Sequence, residues 1–375
     1  MTPKKSILIL SSSYLQKDPR VLRQIRALKD DYKIITCGIT SSNIDGLKEY
    51  PILFRPSKQN PFLRRVKNYI QIKSGNYNNL TWDRSVFKTL NKENFDLIIV
   101  NDPREMPLAV ALHKEKPACK IYFDSHEYYN HVDSNPLFNK MYSSLLAKYY
   151  NSADKTSTVN QEIAHLYEEQ FGGECRVVKN AGPYKNLSVQ DVDENTIKLV
   201  HHGVLNRDRK LEKMVDMINS LDDSYVMDFY LVGSDQSYLE QLKNRVKNKS
   251  KVQFKDPVPF DKLVDTLNKY DIGVFILDPK VKSYELALPN KIFEFIQARL
   301  AIAISPNIAM KNLVEKWENG IVADDYTGED LVKKIMATSI EDLNRFKINS
   351  NRAALFENEE EGVKVIQEII SDLID

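Results

Sequence analysis

Residues 272–304 read IGVFILDPKVKSYELALPNKIFEFIQARLAIAI. The run opens on a short apolar stretch, Ile272 to Ile276, and closes on another, Ala301 to Ile304. Between them Ile292, Ile296 and Leu300 recur at a spacing of four, the period of a helix's core stripe. Strand, helix and strand in succession make a βαβ unit, and strands this apolar belong in a parallel sheet covered on both faces. Pro289 marks the helix start, where a missing N–H costs nothing. Asn290, Glu294 and Gln297 share another face at helical spacing. The first turn offers unpaired backbone N–H groups, the positive end of the dipole and the ammonium of Lys291, which together suit an anion, phosphate above all. Glu294, acceptor-only when ionised, could take two hydroxyl donors from a ribose. The same residues equally suit an ordinary amphipathic helix, so the motif alone stays open between the two.

The alternation continues upstream. Ile197 to His201 reads as a strand, followed by His202-Gly203 and a loop to Arg209, then a helix carrying Leu211, Met214, Val215 and Ile218. Met227 to Val232 is a further strand ending in Gly233-Ser234, and Val252 to Phe254 another. Gly203 alone is a turn glycine. Beside Arg209 and Lys291 it becomes a backbone cradle with two cations for one diphosphate, since glycine lets a backbone come close to a ligand and arginine grips phosphate bidentately. Downstream lie a strand at Gly320 to Val322 and a helix over about 329–337.

The first half follows the same plan. Lys5 to Leu10, Tyr32 to Cys37, Asp96 to Val100, Lys120 to Phe123, Ser152 to Val159 and Cys175 to Val178 read as strands. Ser11-Ser12-Ser13 follows the first strand where dinucleotide sites carry Gly-x-Gly-x-x-Gly, which argues against a nicotinamide dehydrogenase. Two strands end in polar clusters, Asn101-Asp102-Pro103 and Asp124-Ser125-His126-Glu127, at the sheet edge where parallel α/β folds bind ligands. His126 is a candidate for touching a sugar or for acid–base work; its alternative is a structural histidine at a helix start. From Tyr50 to Trp82 no acid interrupts Arg55, Lys58, Arg64, Arg65, Lys67 and Lys73, and Phe62, Val66, Tyr69, Ile70 and Lys73 are spaced for one helical face. That stretch reads either as a surface for an anionic membrane or acceptor, or as a solvated helix.

Asn180-Ala181-Gly182-Pro183 and the polar run Asn186 to Asn195 place a linker between two domains, one over 1–182 with about 357–375, the other over 190–356. The 375 residues suffice for both. Net charge divides with them: residues 1–185 carry +9 and residues 186–375 carry −8. A hydrophobic share of 42% and a charged share of 28% are those of a soluble globular chain. No apolar run nears the ~18 residues of a membrane helix, and the start reads as no signal peptide. Cys37, Cys119 and Cys175 have neither zinc nor disulfide spacing, which fits a reducing cytoplasm.

On these residues the chain resembles the retaining glycosyltransferases of family 4, which have the GT-B fold. Asp18-Pro19-Arg20-Val21 resembles the start of the acceptor domain, and Asp124-Ser125-His126-Glu127 the Asp-x-His-Glu segment of one subgroup. His202-Gly203 through Arg209 resembles the phosphate loop, and Leu288-Pro289-Asn290-Lys291-Ile292-Phe293-Glu294 is similar to that subgroup's Leu-Pro-Asn-Lys-x-x-Glu donor helix. Phe356-Glu357-Asn358-Glu359-Glu360 looks like the tail after which a last helix returns to the first domain. The resemblance implies two Rossmann-like domains facing across a cleft, with retaining transfer of a sugar from a nucleotide diphosphate to a glycan or lipid-linked hydroxyl in surface polysaccharide or glycoconjugate synthesis, such as capsule or lipopolysaccharide. His126, Arg209 and Lys291 are implied as catalytic, and Gly203, Arg209, Gly233, Glu285, Asn290, Lys291 and Glu294 as donor-binding. Neither metal nor cofactor is implied, nor is nucleic acid a partner. Three positions depart from the pattern. The family's first glutamate would fall on Leu286, one residue from Glu285; Val204 stands where arginine is frequent; and Arg299 stands where glycine is usual. A catalytically inactive nucleotide-sugar-binding partner and a GT-B epimerase are the alternative readings.

Overall fold

The computed structural model describes residues 4–52, 69–74, 84–133 and 135–375. The chain divides into two compact units, Met1–Lys179 with Gly362–Asp375, and Asn180–Glu361.

Among its described residues unit 1 holds seven strands: β1 (Ser6–Leu10), β2 (Lys33–Cys37), β3 (Lys48–Tyr50), β4 (Leu97–Val100), β5 (Lys120–Asp124), β6 (Lys155–Thr158) and β7 (Cys175–Val177). Their order is β3-β2-β1-β4-β5-β6-β7 and every pairing is parallel. The apolar runs of β1 and β4 are buried throughout, as strands covered on both faces must be. The Pro19–Leu28 helix is capped by the Asp18 carboxylate, which accepts from the Arg20 and Val21 N–H groups. β3 escaped the sequence reading because its Lys-Glu-Tyr is half-exposed at the sheet's edge and has no apolar run. The Glu359–Ile374 helix belongs mainly here: Ile366, Ile369 and Ile370 pack with Ile7, Ile9, Val21, Leu97 and Val178.

Unit 2 holds β8 (Ile197–Val204), β9 (Tyr225–Val232), β10 (Val252–Lys255), β11 (Ile272–Phe275), β12 (Ala301–Ile304) and β13 (Gly320–Val322). The order is β10-β9-β8-β11-β12-β13, again all parallel. Alternate strand residues serve two cores. Leu199, Val274 and Ala303 join one, and Val200, Phe275 and Ile304 the other. Chain order reverses between β8 and β11, so the loops leaving those two strands flank the point where such sheets bind ligands.

Three local findings revise the sequence reading. β8 runs on to Val204, so His202 and Gly203 lie within the strand, held by its register with Tyr230 and Leu231 of β9. Pro289 is the extended residue before the Asn290–Gln297 helix, not its first turn. The polar face of that helix is itself covered: Glu294 and Gln297 are buried. The Gln297 amide donates to the Ala354 and Glu357 carbonyls and accepts from the Lys185 N–H, which makes it a strut. Of the basic stretch 50–82, residues 53–68 and 75–83 lie outside the described residues. Within 69–74, which is helical, Tyr69 and Ile70 are exposed and Ile72 is buried against Met141 and Leu145. No helix among the described residues is long and apolar enough to cross a membrane.

Candidate functional site

The helix after β11 sits close to its strand because Gly273 has no side chain: a Cβ there would lie 2.4 Å from the Phe295 ring. That packing sets the helix start beside the end of β8. Gly203 holds φ +146°, which glycine tolerates and side chains rarely adopt, and a Cβ on it would stand 3.0 Å from Lys291 Nζ. The ammonium therefore lies over bare backbone. It also lies 3.9 Å from the Phe275 ring centroid. Arg209, in the loop after β8, stacks on Tyr284 with 4.7 Å from its guanidinium carbon to the ring centroid.

The neighbouring cations identify what is special about these two. Arg207 pairs with Asp235, Lys210 and Lys213 with Asp278, Lys280 with Asp208, and Lys282 with Glu285. Among the described residues, neither Lys291 nor Arg209 has a carboxylate at ion-pair distance. Burial, with Arg209 adding to it and Glu294 opposing, brings the Lys291 ammonium down to about 7. A desolvated cation at a helix start, with no carboxylate at ion-pair distance among the described residues, is an arrangement that can receive an anion.

Glu294 lies one turn on, 8% exposed. Burial pushes its carboxyl up to about 7 against the pull of Lys291. It borders a cavity of about 200 Å³ walled by Gly182, Pro183, Phe260, Leu263 and Val264. His202 approaches from β8, its Nε2 3.2 Å from Glu294 Oε2. Burial, then Lys291, holds His202 down at about 3, so its imidazole is neutral. His201, also held well below the usual range by burial and Lys291, donates from Nδ1 to the Val274 carbonyl at 2.9 Å.

The structure thus brings Gly203, Arg209, Asn290, Lys291 and Glu294 to one sheet edge. Two further expected donor residues make contacts of their own. Glu285 pairs with Lys282 at 2.9 Å. Gly233 faces Leu205, which a Cβ would meet at 2.9 Å, so its smallness serves packing. His202 and Tyr284 were missed. The signal in the sequence was their adjacency to Gly203 and to the Asn290–Gln297 helix.

In unit 1 the carboxyl edge is organised by a buried ion pair. Asp124 accepts from Arg20 Nε at 2.9 Å and again from the other guanidinium arm, from the Gln24 amide, and from Ser157 Oγ at 2.6 Å. Burial raises its pKa, but Arg20 outweighs that and holds it below the usual carboxylate range. With its lone pairs occupied, Asp124 is structural, not a ligand-binding group beside His126. Asn101 donates its amide to the Leu10 carbonyl, which leaves its oxygen to accept from His126 Nε2 at 3.0 Å. Burial and the Arg20 charge, against the pull of Asp124, lower His126, so it is neutral with its proton on Nε2. The donor of His126 is used; what remains is the Nδ1 lone pair. Glu127 is exposed, and its carbonyl accepts from Ser125 and Tyr167.

Residues 196–339 match the family Glycosyl transferases group 1. The whole chain shares its fold with solved GT-B structures. The sucrose-phosphate synthase of Thermosynechococcus elongatus superposes with a TM-score of 0.71 at 13% identity, 99% of each chain being covered. Anabaena HepE in complex with UDP-glucose gives 0.70 at 13%, over 98% of this chain and 100% of that one. The E. coli trehalose-6-phosphate protein bound with UDP-2-fluoro glucose gives 0.69 at 11%, over 99% of each. At such identities the likeness establishes the GT-B fold of two Rossmann-like domains. No curated protein is significantly similar to the chain in sequence.

Proposed function

We propose that this protein is a glycosyltransferase that draws a sugar from a nucleoside diphosphate and passes it, with retention, to a hydroxyl of a glycan or lipid-linked acceptor. The observation that carries this is the pair of cations without carboxylate partners among the described residues, Lys291 over Gly203 and Arg209 on Tyr284, one turn from a half-ionised Glu294. The two cations and the helix start stabilise the diphosphate as it leaves, where charge develops in the transition state. They supply the neutralisation that a metal gives elsewhere, so activity should survive chelation. Glu294 takes the ribose hydroxyls, and the apolar cavity beside it takes the base. UDP is the first base to test, because UDP-glucose is bound in the Anabaena structure that shares the fold. In unit 1, His126 offers its Nδ1 as acceptor to a sugar hydroxyl.

Lys291→Ala or Arg209→Ala should each lower transfer by roughly two orders of magnitude with the fold intact, as loss of one preorganised charge does. Unchanged turnover in both would refute the assignment. Glu285, which pairs with Lys282 and lies one residue from where the family's first glutamate would fall, motivates a second reading, a nucleotide-sugar-binding partner without turnover of its own. Tight UDP binding with neither transfer nor donor hydrolysis would select it.

A further inference from the structure

We propose that His202 is a positioning residue for Glu294: its Nε2–H holds one carboxylate oxygen so that the other faces the cavity and takes the hydroxyls of a ribose. The inference rests on the nucleoside diphosphate reading above. It starts from an unfinished contact. His202 is 7% exposed, and among the described residues its buried Nε2 has no aligned hydrogen-bond partner although Glu294 Oε2 is only 3.2 Å away. The imidazole edge-on to Phe295, 5.4 Å between centroids at 88°, leaves the ring little room to turn. Buried polar atoms are rarely left in this state, since an unmade bond forfeits the solvation the group gave up.

A neutral imidazole has one N–H. Where Glu294 is ionised, its carboxylate is acceptor-only and the nitrogen facing it carries the proton; a lone pair there would repel it. The distance is already right and only the direction is off. A small turn of the Glu294 carboxyl completes the bond, and hydroxyls gripping the cavity-side oxygen would drive that turn. Ribose binding then satisfies two groups at once, Glu294 and the buried His202. An analogue lacking a hydroxyl would leave part of this network unmade, which is how buried polar groups reject a substrate that lacks one of their partners.

The test compares UDP, GDP and ADP with their 2′-deoxy counterparts by calorimetric titration. Wild type, His202→Phe (ring volume without donor) and His202→Gln (an N–H near the Nε2 position) are measured, with inorganic diphosphate as the control for the phosphate end. Wild type should prefer the ribonucleotide by about tenfold or more, on the scale of a lost hydrogen bond to a charged group. His202→Phe should shrink that preference to about twofold or less, His202→Gln should restore most of it, and diphosphate affinity should stay level in all three. A wild type that binds inorganic diphosphate but shows no ribose preference overturns both the Glu294 assignment and this inference. A wild type with the preference and a His202→Phe variant that retains it overturns the inference alone. Should the variants fail to fold, the ring-nitrogen spectrum of 15N-histidine wild type decides. An Nε2–H tautomer at His202 that shifts with the ribonucleotide and not with inorganic diphosphate is expected; an Nδ1–H tautomer overturns the proposal.

Discussion

Lys291 titrates near 7 because it is desolvated and close to Arg209. Phosphate favours its ammonium form, so binding raises its pKa and takes up a proton wherever the free residue is deprotonated. Affinity for inorganic diphosphate should therefore fall as pH rises above about 7, by at most tenfold per unit. Calorimetry at pH 8 in two buffers of different ionisation heat should record uptake approaching one proton, and none in Lys291→Met. The same desolvation acts on folding. The unfolded chain keeps the lysine protonated to about 10.4, whereas the native chain sheds the proton from about 7, so the unfolded state binds more protons in that window and stability rises with pH across it. Lys291→Met should raise Tm at pH 7 and flatten this rise, while weakening diphosphate binding. Lys291 and Glu294 were legible in the sequence because helix spacing alone places them on one end. That Lys291 has no carboxylate partner among the described residues was not legible, because it depends on which acids the other loops bring to the other cations.

At the scale of elements, two motifs that read as separate prove to be one joint. Arg20 at the start of the Pro19–Leu28 helix and Asp124 at the end of β5 form a buried pair, and the guanidinium also donates to the Val178 carbonyl at 2.7 Å. Their separation of 104 residues hid the pairing from any local pattern. Arg20→Ala should cost about 3–5 kcal/mol in denaturant unfolding of unit 1, because it strands a buried carboxylate. Asp124 has its folded pKa below the unfolded one, so its contribution is present above the unfolded value and lost as pH falls through the folded one. Wild type should therefore lose more stability on acidification than Asp124→Asn does. Strands were read well where an unbroken apolar run exists, as in β1, β4 and β12. They were cut short where polar residues close them, as in β8, whose His202 and Gly203 look like loop. Arg299 explains why glycine suits its place: it holds φ +62°, a left-handed turn after the Asn290–Gln297 helix. Arginine bears that strain by donating to the Gln297 carbonyl at 2.6 Å and to Asn351 at 2.7 Å, and by reaching the Lys185 carbonyl. These bonds, with Val192 held by Asn344, bind much of the expected linker to unit 2 and put the boundary at Lys179–Asn180.

At the scale of the whole molecule, each unit keeps its own core, and unit 2 is continuous in sequence. A fragment spanning 180–361 should fold cooperatively and bind inorganic diphosphate without unit 1. A fragment spanning 1–179 lacks Ile366, Ile369 and Ile370, which fill its core, and should remain molten or aggregate until a 359–375 segment is fused or supplied. Circular dichroism and urea unfolding of the three pieces would check this, and a cooperative transition in 1–179 alone would contradict it. The βαβ alternation made the two-unit plan legible. The reach of the last helix back to the first unit was expected only from the family likeness, since an amphipathic stripe does not say which core it covers.

That returning helix also fixes a timetable. Residues 362–375 leave the ribosome after every residue of unit 2, so the groove lined by Ile7, Ile9 and Val178 stands uncovered while 180–361 is being made. At about 5–20 residues per second the wait is on the order of 10–40 s, long compared with the folding of a small domain. The usual order, first domain first, does not hold here: unit 1 is made first, yet its core can close only once the last residues have emerged.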